Sequence, residues 1–122
     1  MKLEVGMYVR TKEGRIAKIT DNNTYCTIND KEVIYVENNE DVYGIYGFMI
    51  LKEMIIKASH NIIDLIEPKD IIVGIDGHIF EIYAVGSDCV YINGLKEFIY
   101  EHEIKSIVTK EQFENMEYKV GE

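Results

Sequence analysis

The sequence predicts a mainly β protein made of two tandem, small five-stranded barrel-like units, each followed by a short helix. Three observations carry that expectation. Apolar residues alternate with polar ones along short runs closed by Gly, Asn and Asp, the pattern of half-buried strands and tight turns. Residues 28–35, INDKEVIY, return with one residue inserted as residues 92–100, INGLKEFIY. A chain of 122 residues holds one domain, or two very small ones sharing an interface.

The first unit opens with Leu3-Glu4-Val5-Gly6-Met7-Tyr8-Val9-Arg10, where Val5, Met7 and Val9 alternate with Tyr8 and Arg10 as in a strand with one buried face. Glu13-Gly14 makes a turn and residues 15–20 return. Asp21-Asn22-Asn23 is a turn cluster whose side chains bond their own backbone. Residues 24–28 and 32–36 form a hairpin with Asn29-Asp30-Lys31 at its tip.

The second unit repeats this plan 63 residues on: Val9 falls on Ile72, Gly14 on Gly77, Ile16 and Ile19 on Ile79 and Ile82, and Cys26 on Cys89. Each unit ends in a strand giving way to a short helix. Thr109 and Gln112 have capping-box spacing, and Ser59 serves the first helix, which stops before the only proline, Pro68. The joint predicts units over 1–62 and 63–122. Matches after the hairpin fall at an offset of 51 rather than 65, so copy one carries about fourteen extra residues, placed as an inserted hairpin near 37–50. Either it lengthens the sheet, with Tyr43, Ile45, Phe48 and Ile50 partly in the core, or it presents Tyr43, Tyr46 and Phe48 at a contact surface.

Formal net charge is −9, which argues against direct duplex nucleic-acid binding. Residues 1–62 hold eight Lys/Arg against nine Asp/Glu, and residues 63–122 five against thirteen. The acidic second half either solubilises the chain or attracts a basic partner surface, with Glu101 and Glu103 at its centre. Both arginines, Arg10 and Arg15, lie on the first hairpin with Lys12 and Lys18. They read as solvated strand edges, or as guanidinium forks for a phosphate or carboxylate beside a stacking Tyr8.

Catalysis finds little support. His60, His78 and His102 lie in no catalytic spacing, there is no phosphate-cradling glycine loop or nucleophile elbow, and the two cysteines form no metal motif. No enzyme activity, cofactor or metal is expected. No apolar run reaches the roughly 20 residues of a spanning helix, and the opening MKLEVGMYV has no signal-peptide core. A soluble protein of the cytoplasm, with no membrane partner, is expected.

The line from Leu3 to Ile19, with its Leu-x-Val-Gly opening, glycine turn and Arg15-Ile16-Ala17-Lys18-Ile19 return, resembles small five-stranded barrels of the KOW and Tudor kind. Copy two departs from it, with Pro68-Lys69 where Val5-Gly6 stand. Two further runs, Ile56-Lys57-Ala58-Ser59-His60-Asn61-Ile62-Ile63-Asp64-Leu65-Ile66-Glu67 and Ile104-Lys105-Ser106-Ile107-Val108-Thr109-Lys110-Glu111-Gln112-Phe113-Glu114, resemble segments of small accessory proteins of bacteriophages and prophages of low-GC Gram-positive bacteria. That resemblance implies a counter-defence context and transfers no site residues. The expectation is a non-enzymatic protein that neutralises a host factor by protein contact, its acidic copy steering the encounter and its aromatic insertion anchoring it. A homo-oligomeric sponge for a small nucleotide, held by Arg10, Arg15 and a stacking Tyr8, Tyr43 or Tyr46, is the alternative. A virion assembly adaptor is a third.

Overall fold

The computed structural model describes residues 2–21, 27–28, 31–37, 49–116 and 120–121, which are mainly β strand with a single α-helix. The chain divides into two compact units, Met1–Asn61 and Ile62–Glu122.

Unit 1 contains β1 (Tyr8–Thr11), β2 (Ile16–Asp21), β3 (Thr27–Ile28), β4 (Lys31–Val36), β5 (Met49–Leu51) and β6 (Ile55–Ser59). They form one antiparallel sheet in the order β3-β4-β2-β1-β6, with β5 also on β4. Gly14 takes φ 86° at the β1–β2 turn, where a Cβ is disfavoured, and its N–H reaches Thr11 O at 3.0 Å. A 3-10 turn, Lys52–Met54, leads from β5 on one side of the sheet to β6 on the other. Period-two alternation sends Val9, Ile19, Ile34, Val36, Ile50 and Ile55 into one core. Each contributes about 1.5–3 kcal/mol over leaving it exposed.

Unit 2 contains β7 (Ile71–Gly74), β8 (Ile79–Glu81), β9 (Ala84–Val85), β10 (Cys89–Ile92), β11 (Glu97–Tyr100), β12 (Ile104–Val108) and α1 (Lys110–Met116). They make two three-stranded sheets, β12-β7-β8 and β11-β10-β9, around Ile63, Ile66, Ile72, Ile82, Val90, Ile92 and Ile99. A 3-10 turn, Glu101–Glu103, joins β11 to β12.

The backbone bonding of the two units runs in parallel. Ile19 N–H donates to Met7 O and Ile82 N–H to Asp70 O; Thr11 N–H donates to Arg15 O and Gly74 N–H to His78 O; Lys12 N–H donates to Met54 O and Ile75 N–H to Glu103 O. In the closing pair of each unit the register skips one residue, Ile56 between the partners of Arg10 and Thr11, Lys105 between those of Val73 and Gly74. Lys69 takes φ 76° where Gly6 takes 92°, so the departure from glycine leaves the turn unchanged.

Four expectations are corrected. Among the described residues the sheets do not close into barrels. The first strand is shorter than its alternation suggests, because Val5 and Gly6 lie in a turn and Val5 is exposed. The helix of one or two turns expected to close the first unit is of 3-10 type, Ile62–Leu65, and begins the second unit. The two echoing hairpins occupy different places: residues 28–35 span β3 and β4, whereas residues 92–100 span the end of β10 and β11. By pairing, β4 answers β10 and β5 answers β11, since Ile34 faces Ile50 and Val90 faces Ile99. Corresponding residues then lie 63 apart at Val9 and Ile72, 56 at Ile34 and Val90, and 49 at Ile50 and Ile99. The extra length of unit 1 is therefore split evenly between two connections, before and after β4, and Met49–Leu51 is part of the shared plan.

Candidate functional site

The β10–β11 hairpin displays aromatic rings on its outer face. Tyr91 stands opposite Phe98, and Cys89 opposite Tyr100. Alternation decides which side chains face out: Val90, Ile92 and Ile99 enter the core, which leaves Tyr91, Phe98 and Tyr100 on the other face. Phe98 is 51% exposed and Tyr100 40%. Ring centroids are 6.4 Å apart for Tyr91 and Phe98 and 5.2 Å for Phe98 and Tyr100, both edge-on. His102, on the following 3-10 turn, stacks on Tyr100 at 5.8 Å and 10°. Such pairs are worth about 0.5–1.5 kcal/mol each, so the rings hold one another in place while exposed.

Carboxylates flank this row along the chain. Asp88, Glu97 and Glu101 are exposed and Glu103 is half-buried. Glu103 Oε1 accepts the Tyr100 N–H at 3.2 Å, which fixes the turn and with it the Tyr100 ring. Residues Glu101–Glu103 form a 3-10 turn, with Glu103 folded back and Glu101 left in solvent. Hydrogen bonding and charge interaction with Cys89 come first in holding the Tyr91 phenol above its usual range, with desolvation and then the nearby Asp88 carboxylate adding to it.

The other expected site residues are dispersed. Tyr43, Tyr46 and Phe48 lie outside the described residues. Arg10 is fully buried, because β1 lies between β2 and β6 rather than at a sheet edge. It offers no guanidinium to a dissolved anion, which corrects the reading of Arg10 as an open fork. Arg15 donates to Met49 O at 3.4 Å, and partial burial pushes its guanidinium down. Tyr8 is half-buried with the Lys18 ammonium 5.8 Å from its ring centroid.

The remaining polar pairs are local. His60 Nε2 meets Glu4 Oε2 at 3.0 Å and His78 Nδ1 meets Asp76 Oδ2 at 2.7 Å. Both carboxyls are held below their usual range, chiefly by those hydrogen bonds. Among the described residues no group of three or more His, Cys, Asp or Glu is placed to hold a metal ion. Among them, too, no helix is long and apolar enough to cross a membrane.

The aromatic row was missed in the sequence although its signal was there. Phe98, Tyr100 and His102 recur every second residue around the buried Ile99, but the same period marks any half-buried strand and does not say which face stays in water. No protein-family model matches the chain, and neither a curated protein nor a solved structure matches it.

Proposed function

We propose that the chain is a non-enzymatic binding protein that captures a basic-surfaced protein through the aromatic, carboxylate-fringed face of unit 2. The observation that carries this reading is the row Tyr91, Phe98, Tyr100 and His102, the last three exposed, running into the acidic turn of Glu101 and Glu103. Exposed aromatics that are already ordered bury large area at small entropic cost, and a rim of one charge sign selects and steers the opposite sign. The −8 balance of residues 63–122 extends that field over the unit. The Tyr43, Tyr46 and Phe48 segment is a second anchor in this reading.

The resemblance to phage and prophage accessory proteins points to a host defence factor as the partner and to the host cytoplasm as the place of action. The parallel registers support two tandem copies of one small open-sheet β unit, the second of which has acquired the acidic binding face. The nucleotide sponge ranks lower, because the buried Arg10 removes half of its phosphate fork. The virion adaptor would use the same surface as the host-factor inhibitor.

Glu101→Lys tests the steering. Glu101 is exposed, whereas Glu103 also holds the Tyr100 amide. With the partner identified by affinity capture, the variant slows association about tenfold at low salt and much less at roughly 0.5 M salt. Association rates insensitive to both salt and Glu101→Lys contradict it. A thermal shift with any cyclic or linear nucleotide would favour the sponge instead.

A further inference from the structure

Unit 2 leaves open a strand edge whose counterpart in unit 1 is covered as far as Lys18, the residue that answers Glu81. β2 pairs with β1 on one edge and β4 on the other, and beyond β4 the Glu37 N–H still reaches Lys18 O at 3.0 Å. The matching strand of unit 2 is split. β8 pairs with β7, and β9 pairs with β10. Ile82 N–H bonds Asp70 O and His78 O accepts from Gly74 N–H, so the alternate residues 78, 80 and 82 face β7. The main-chain groups of Ile79, Glu81 and Tyr83 therefore face the opposite way. Tyr83 N–H meets Tyr91 O at 2.8 Å, and there the ladder stops. It stops because β10 ends at Ile92 and the chain turns through Asn93 (φ 49°) and Gly94 (φ 70°). Among the described residues no strand pairs with Ile79 or Glu81 on that edge.

Beside this edge lies a cleft of about 780 Å³ between β8 and the β10–β11 hairpin, with Phe80, Ile82, Tyr83 and Ile92 among its walls. It shares Phe80, Ile92 and Glu97 with an adjoining hollow of about 520 Å³ that reaches Phe98 and Glu103. Ile79 is 70% exposed and Tyr83 60%. The charged side chains on the two hollows are Glu81, Glu97, Asp76 and Glu103 against one cation, Lys69.

We propose that this cleft receives an extended, alternately apolar and basic segment of the partner protein, which adds a strand to β8 through Ile79 and Glu81. Main-chain bonds to the open edge supply register, Phe80 and Ile92 meet the apolar side chains, and Glu81, on the other face of β8, meets the basic ones. The inference rests on the protein-binding reading above and gives it a second contact, contiguous with the aromatic row through Phe98.

The test uses the full 15N-labelled chain and two synthetic hexapeptides, Lys-Val-Lys-Ile-Lys-Val and Glu-Val-Glu-Ile-Glu-Val. The lysine peptide should shift the amides of Ile79, Glu81 and residues 92–97 saturably, and the glutamate peptide should not. Ile79→Pro removes an outward N–H without breaking a bond to β7 and should weaken the lysine peptide about tenfold. Glu81→Lys, on the exposed side, should weaken it similarly and serves if the proline variant fails to fold. No saturable shift with the lysine peptide, equal shifts with both peptides, or unchanged binding in a folded variant would overturn the proposal. Loss of protein-partner binding in Phe98→Ala, with full binding in Ile79→Pro and Glu81→Lys, overturns the cleft alone and leaves the protein-binding reading standing.

Discussion

Asp70 is the residue whose role the sequence hid most fully. It reads as one more acid of the soluble second half, yet it is fully buried. Its Oδ2 accepts the Glu67 N–H at 2.8 Å and its Oδ1 the Lys110 N–H at 2.9 Å, tying the start of β7 to the first turn of α1. The capping box beside it was legible, because Thr109 and Gln112 are three residues apart and bond each other's backbone N–H. Asp70 was not, because Lys110 lies forty residues away. Truncation to Asp70→Ala removes the acceptor of two partly buried donors, and we expect a stability loss of about 2 kcal/mol in urea unfolding. A loss under about 1 kcal/mol would show that water replaces the carboxylate at no cost. Lys69 teaches the reverse lesson: a lysine standing for glycine reads as a broken motif, but the left-handed turn is kept.

At the scale of elements, strand existence was legible and strand identity was not. Period-two alternation marks any half-buried strand alike, so KEVIY in β4 and KEFIY in β11 match well without holding equivalent places. Burial separates them. Val33, Ile34 and Val36 are buried around a half-buried Tyr35, and Cys89, Val90 and Ile92 are buried around a half-buried Tyr91, the same order in β4 and β10. β11 instead buries only Ile99, with Glu97, Phe98 and Tyr100 exposed. That contrast predicts a split between stability and binding. Ile99→Ala should cost about 3 kcal/mol by opening a cavity in the core of unit 2. Phe98→Ala should cost about 1 kcal/mol or less, since half of the ring is already in water. Equal losses in thermal or chemical unfolding would place Phe98 in the core and remove it from the binding face.

For the whole molecule, β content and charge asymmetry were readable because both are sums over many residues. The mainly β character follows from alternation in every segment, and the acidic second half from counting. What no sum reports is which sheet edges stay open or which rings stay in water, since those depend on where β10 ends and on pairing between distant strands. Arg10 shows the same limit, because a charged residue on the first hairpin is expected outside until β6 is seen to cover the edge of β1. The central claim is that unit 2 binds a basic protein through its aromatic face, and affinity capture from host lysate tests it most directly. Wild-type chain and the folded double variant Phe98→Ala/Tyr100→Ala are compared at low salt and at roughly 0.5 M salt, with captured proteins identified by mass spectrometry. The account predicts one basic-surfaced protein enriched by the wild type at low salt, depleted by high salt and lost with the double variant. A partner retained equally by the double variant, or no protein enriched over an unrelated acidic control, would contradict it.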